Sequence, residues 1–361
     1  MRITVFIVFF NFFIVCSPAP SSDNERLSVR QTMAIVDDSF AKVEGPRSWR
    51  FPEDHGPHSA YKSEWWYFTG NLKDKNKREF GYQFTIFRQG IGSGLADVNS
   101  VFSAKEVYLL HFVVTDLETN TVYSFENYAR SDNNQLAGAK QEQVWIDGSK
   151  IEIGPENWLI TGIGEDFSLV LDLSAASEMI MQGEQGYSRK GNSQFNASYY
   201  YTIPRWQSTG KICLKETNCY QVEGLSWLDR EFSTSALDDG QVGWDWFAIQ
   251  LDTGENIMLY QMRREDGSID VHSHGYFQSN LLRRPLTIKD YTLEPITFSK
   301  QRSGTRVPTK WKIQVLEREF IVQAKQAEHE LPFSISYWEG PISVKCADQQ
   351  CGQGYLEMTG Y

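Results

Sequence analysis

The sequence predicts an all-β protein of two domains, and three observations carry that prediction. Short runs rich in β-branched and aromatic residues recur along the chain: "SEWWYFTGNL", "GYQFTIFRQG", "VYLLHFVVTDL", "SYYYTIPRW", "GWDWFAIQL" and "NIMLYQMRR". Turn signals separate them, among them "KDKNK", "ETNT", "DTGEN" and "REDGS". No long helical period and no fixed-length repeat breaks the pattern. Such a pattern implies antiparallel sheets that meander into barrels or sandwiches. The length of 361 residues fits about two domains at roughly 150 residues each.

Taken in order, the chain opens on "MRITVFIVFFNFFIVCSPAPSS". One arginine precedes an apolar run, and small residues and prolines follow. This has the shape of a secretory signal peptide over residues 1–21, too short to span a bilayer comfortably. A retained anchor, or lipid attachment at Cys16, is the alternative. Residues 22–44 are polar and read as an arm. The segment "STSALDDGQV" at 233–242 reads as a linker, dividing the rest into domains 45–235 and 236–361. The net charge of −11, with no dense run of Lys and Arg, argues against a nucleic-acid partner. Oligomeric state is not legible.

Candidate site residues come from strand periodicity, since alternate residues share a face. The stretch "FPEDHGPHSAYKSEWWYFTG" sets Glu64 against a tryptophan pair with His55 and His58 upstream. A core strand needs no carboxylate there, and a surface loop needs no tryptophan pair. Glu64, Trp66 and Phe68 share one face. His111 shares a face with Leu109 and Val113, and is expected to reach the same barrel interior as Glu64 and Trp66. Trp244 and Trp246 lie opposite Asp245. A buried polar group without a partner costs several kcal/mol, so ionisable residues on three strands point either to a pocket or to satisfied structural contacts. His55, His58, Glu64 and His111 have donors that would suit zinc, but the spacing is not diagnostic, and no metal is assigned.

Four cysteines follow the signal, and they form two close pairs: Cys213 with Cys219, and Cys346 with Cys351. In an exported chain these read as disulfides, each clipping a short loop. "GYSRKG" holds Ser188 but lacks the nucleophile elbow of an α/β hydrolase. Gly186, Gly191, Gly352 and Gly354 are expected at turns that require positive φ. No phosphate loop or dinucleotide fingerprint is present, so no cofactor is expected.

"FPEDHGPH" and "KSEWWYFTGNL", then "FGYQFTIFR" and "LHFVVTD", resemble the AttH family of exported lipocalin-like proteins, relatives of the carotenoid 1,2-hydratases (hydroxyneurosporene synthases). The match continues through "GEQGYSRKG", "ASYYYTIP", "GLSWLDREFS", "GWDWFAIQLDTG", "YWEG" and "GYLEMTGY". The resemblance implies two lipocalin-like β-barrels in tandem. It also implies lipid or isoprenoid traffic at the cell envelope, beside an ABC-type export system, in the periplasm or secreted. One element departs from the family pattern. Where the family has Trp-X-Asp-His-Glu-Trp-Ser, this chain has Trp227, Leu228, Asp229, Arg230, Glu231, Phe232 and Ser233. Arginine stays protonated and cannot shuttle protons, so no hydratase-type turnover is expected. Arg230 is expected to pair with Glu231, Asp229 or Asp245.

Of two functions, the sequence favours the first and keeps the second as its alternative. One is a carrier that binds a hydrophobic small molecule through His55, His58, Glu64, Trp66, His111, Arg230, Trp244, Asp245 and Trp246. The other is an enzyme on such a substrate, a hydratase, isomerase or hydrolase, with Asp229 and Glu231 as its acids. An open pocket with its carboxylates all salt-bridged would favour the carrier. An ordered acidic pair in a closed apolar pocket would favour the enzyme.

Overall fold

The computed structural model describes residues 37–91, 105–131, 136–215, 217–235 and 237–361. The signal, Cys16 and most of the polar arm lie outside the described residues. The only helix described is a 3-10 turn at Glu53–His55, and the rest of the regular structure is antiparallel strand.

Two sheets account for it. Along the first, the order is Thr121–Arg130, Glu106–Asp116, Glu79–Gly90, Ser63–Asp74, Asn218–Ser233, Ala197–Leu214, Phe167–Ala175, Asn157–Ile163, Ser149–Ile153, Gln143–Ile146 and Ala137–Lys140. Along the second it is Arg283–Thr287, His274–Gln278, Asn256–Arg264, Gln241–Leu251, Gln349–Met358, Tyr337–Cys346, Arg318–Ala324, Arg306–Val315 and Tyr291–Lys300. In each sheet the first long strand pairs with the last, so a meander curls back on itself. This is the up-and-down route to a barrel or half-barrel, which leaves few unpaired edges.

Each sheet wraps its own core. Trp66, Phe68, Tyr82, Phe84 and Phe112 fill the first; Phe247, Ile249, Trp311 and Val344 fill the second. A third apolar cluster, including Tyr67, Tyr200, Trp227, Trp246, Met258 and Tyr355, lies where the two sheets face each other. Strands 63–74, 79–90 and 218–233 therefore have both faces buried along much of their length. Between the two sheets, described residues on either side of position 236 are held in place. Thr234 Oγ1 accepts a hydrogen bond from the Val43 amide at 2.8 Å, and Leu237 packs into the inter-sheet cluster.

Both cysteine pairs are bonded, each across its own hairpin. The Cα atoms are 4.0 Å apart for Cys213–Cys219 and 5.7 Å for Cys346–Cys351, and such bonds mark an oxidising environment. The glycine expectation holds only in part. Gly186 has φ +91°, whereas Gly191, Gly352 and Gly354 have no positive φ. Gly354 serves close packing instead: a Cβ there would sit 1.9 Å from the Ala248 carbonyl oxygen.

Candidate functional site

Pleating sends alternate residues of each interfacial strand to opposite sides. In strand 63–74, Trp66 and Phe68 enter the first core while Trp65 and Tyr67 face the second sheet. In strand 241–251, Phe247 and Ile249 enter the second core while Trp246 and Ala248 face the first sheet. Where the two outward faces do not meet fully, they leave a cavity of about 560 Å³, within the usual size of a small-molecule site. Trp65, Tyr67, Phe87, Trp244, Trp246 and Met262 are among its walls.

One lateral row crosses the first sheet under this cavity. Thr202 pairs with Asp229, Asp229 with Tyr67, Tyr67 with Thr85, Thr85 with His111, and His111 with Glu126. Asp229 accepts hydrogen bonds from Tyr200 OH at 2.5 Å, Thr202 Oγ1 at 2.6 Å and Trp227 Nε1 at 2.9 Å. No ion pair reaches it among the described residues. Burial disfavours its charge more than the three donors favour it, so its carboxyl is pushed up to about 7. From the second sheet comes Glu357, which accepts from Trp244 Nε1 at 2.7 Å; burial also pushes it up to about 7. Its cross-strand neighbour Glu339 takes a hydrogen bond from Tyr67 OH at 2.8 Å. Burial, reinforced by Glu357, drives Glu339 well above the usual carboxylate range. Glu231 differs: Lys190 Nζ lies 3.1 Å from its Oε1, and the ammonium also sits over the rings of Tyr200 and Tyr260.

At the other end of the row, His111 Nε2 is 3.0 Å from Glu126 Oε1 and Nδ1 is 2.7 Å from Tyr337 OH. Burial lowers the His111 pKa, against the pull of Glu126.

The candidates named from sequence separate into three places. Asp229, Glu231, His111, Trp244 and Trp246 line the inter-sheet cavity, and Glu64 also borders it. His55, His58, Glu64, Trp66 and Arg230 gather at one end of the first barrel, on the opposite side of its sheet. There Glu64 is ion-paired to both Arg88 and Arg230, and Arg230 lies over the Trp66 ring at 3.9 Å. His58 donates its backbone N–H to Glu64 Oε1 and Oε2, at 3.1 and 3.0 Å. His55 Nδ1 meets Tyr201 OH at 2.6 Å; burial, then Arg230, holds this imidazole down at about 4. Asp245 enters the end of the second barrel, with Arg263 Nε at 3.2 Å and Tyr361 OH at 2.7 Å.

Two expectations are thereby corrected. Trp66 does not line the cavity that Glu64 and His111 both border, because its ring fills the core of the first barrel. Arg230 pairs with Glu64 rather than with Asp229, Glu231 or Asp245. Its chain neighbours point to the opposite face, and its cross-strand neighbourhood brings Glu64 instead. Glu357, Glu339, Lys190, Tyr67, Tyr200 and Tyr337 were not singled out from sequence. Their signal was present in "GYLEMTGY", "YWEG", "GYSRKG" and "ASYYYTIP", where polar groups sit among aromatics. Only the pairing of the sheets shows that they converge.

Two meandering sheets with their own cores and a shared aromatic cavity define a tandem lipocalin-like protein. Residues 42–361 match the AttH-like family model, and the chain belongs to that family. A crystal structure of a provisional AttH from Nitrosomonas europaea superposes with a TM-score of 0.82 at 28% identity, covering 89% of this chain and 100% of that one. Kievitone hydratase from Nectria haematococca shares the fold at TM-score 0.66 and 14% identity, over 89% and 98% of the two chains. CghA does so at 0.54 and 10%, over 91% and 97%. No curated protein matches the sequence.

Proposed function

We propose that this chain is an exported enzyme that adds water to, or isomerises, a carbon–carbon double bond of an apolar small molecule held between the two sheets. The observation that carries the reading is Asp229, a carboxyl near 7 that lines an aromatic cavity and has no ion pair among the described residues. The carrier reading expected carboxylates that are all salt-bridged. Glu231 and Asp245 fit it; Asp229 and Glu357 have no ion pair among the described residues. A lipid or isoprenoid with an alkene fits the lining.

The chemistry follows from the acids. Protonated Asp229 gives its proton to one alkene carbon, and the other carbon becomes cationic. The rings of Trp65, Tyr67, Trp244 and Trp246 present negative π-faces that stabilise such a cation. Water attacks the cation, and its proton passes to a carboxylate, Glu357 or the Asp229 just vacated; loss of a neighbouring proton instead gives the isomer. A carboxyl near 7 suits both directions of transfer at neutral pH. The absence of the family's usual histidine at position 230 does not empty this site, because the Arg230 side chain lies behind the sheet. The shared fold with a protein named as a hydratase supports the reaction class.

The test incubates the native protein and Asp229→Asn with prenyl and polyene alkenes in heavy-oxygen or deuterated water, read by mass spectrometry. Label should enter product with the native protein, and the rate should fall roughly 100- to 10,000-fold in the variant. Retention of the alkenes without any label uptake would return the assignment to a carrier.

A further inference from the structure

The charges around the cavity are one-sided. Asp229 and Glu231 face it from strand 218–233, Glu357 from strand 349–358 with Glu339 beside it, and Glu126 stands behind His111 at the far end. The cations are already engaged. Lys190 is paired to Glu231. Arg88 is held by Glu64 and by Glu106 at 3.1 Å. Lys62, also in the lining, is lowered by burial and raised in part by the charge of Asp37. Burial keeps His111 on the neutral side, and the same holds for His274, which lies behind Tyr260 and is lowered to about 3. Among the described residues, each positive group at the cavity thus already has a carboxylate of the protein near it, and an incoming anion would meet acids.

The far end of the row has a definite hydrogen-bond polarity. Glu126 is held below its usual value, burial notwithstanding, by hydrogen bonds from His111 and Ser334, so it is an acceptor. His111 Nε2 must then carry the ring proton, and Nδ1 accepts from Tyr337 OH. The Tyr337 proton is committed, and its oxygen keeps lone pairs for a donor. Gln83 Nε2 donates one N–H to Thr85 Oγ1 at 2.6 Å and, with its other, makes a long contact of 3.5 Å to the Tyr337 oxygen, which a stronger donor from a ligand can replace. From Asp229 to His111 the row spans three strand spacings, roughly 14 Å.

We propose that the cavity selects a neutral, hydroxyl-bearing apolar molecule over the corresponding carboxylate, and that the ligand's hydroxyl donates to the oxygen of Tyr337. The proposal rests on the reading of this cavity as the ligand site. A long-chain or terpenoid alcohol has the required chemistry, and an alcohol is also what water addition to an alkene yields.

The test uses farnesol, its methyl ether and farnesoic acid as probes, titrated at pH 8 against the full chain. Trp65, Trp244 and Trp246 in the walls report occupancy by fluorescence. Farnesol should bind at least about tenfold more tightly than the acid. Glu357→Gln, which removes one opposing charge, should narrow that gap by improving the acid. Tyr337→Phe should weaken farnesol by roughly threefold to tenfold, the worth of one hydrogen bond, and leave the methyl ether unchanged. Acid binding as tight as alcohol binding would overturn the selection while leaving the cavity as the ligand site. Equal loss of alcohol and ether in Tyr337→Phe would overturn the hydroxyl seat. Failure of all three probes to bind would overturn the cavity reading itself, and this proposal with it.

Discussion

Glu64 and Asp229 stand on adjacent, paired strands, three register positions apart, and both are buried. Their chemistry is opposite. Glu64 has two guanidiniums and two contacts from the His58 amide; against the cost of burial, the charge of Arg230, hydrogen bonding from His58 and the charge of Arg88 together hold its carboxyl far below the usual range. Asp229 has three neutral donors and, among the described residues, no ion pair, and burial wins. Burial alone therefore says little about whether an acid is structural or reactive. The partner decides: a cation fixes the anion, whereas neutral donors leave the proton exchangeable near neutral pH.

Breaking the fixed side should give the largest effect. Arg230→Ala strands Glu64 beside Arg88 and should cost about 3–5 kcal/mol in thermal or denaturant unfolding. Arg230→His should recover part of that loss. Because the folded Glu64 is depressed, its stabilisation is present above the ordinary value of ~4.3 and is lost as pH falls through the folded value. The native-minus-variant difference should therefore shrink in acid. An unchanged melting temperature for Arg230→Ala would mean that the buried cluster contributes nothing.

The poised side should respond in the other direction. Asp229 is raised in the folded state, so its charge opposes folding increasingly as pH rises from ~3.9 to about 7. Asp229→Asn should then stabilise the protein at pH 8, by about 1–3 kcal/mol once its altered hydrogen bonds are included, and make little difference below pH 4. Stabilisation that is flat across this range would show that Asp229 is not raised.

The smallest effect tests an intermediate case. Asp245 has a cation, but Arg263 is partly open to solvent, and Asp245 remains raised because burial outweighs Arg263 and the hydrogen bonds. Arg263→Ala should cost only about 1 kcal/mol. A loss as large as that from Arg230→Ala would mean that exposure of the cation does not matter.

The alternation of "SEWWYFTGNL" and "GWDWFAIQL", with turns between the runs, was enough to read an all-β meander. The two close cysteine pairs read as local clips, because a bond across one hairpin depends on neighbours in sequence. Alternation also placed Asp229 and Glu231 on one face and Arg230 on the other, and set Trp244 and Trp246 opposite Asp245. What alternation cannot give is which face meets what. Trp65 and Trp66 are equally apolar; one lines the cavity and the other fills a barrel, because a second sheet covers only one side. Glu64 found Arg88 and Arg230 through strand register, across 24 and 166 residues of chain. Glu357 came to the cavity of Asp229 from the far end of the sequence. The local period determines which residues share a side; the packing of sheet on sheet determined which of those sides became a core, an ion-paired end or a cavity holding an exchangeable proton.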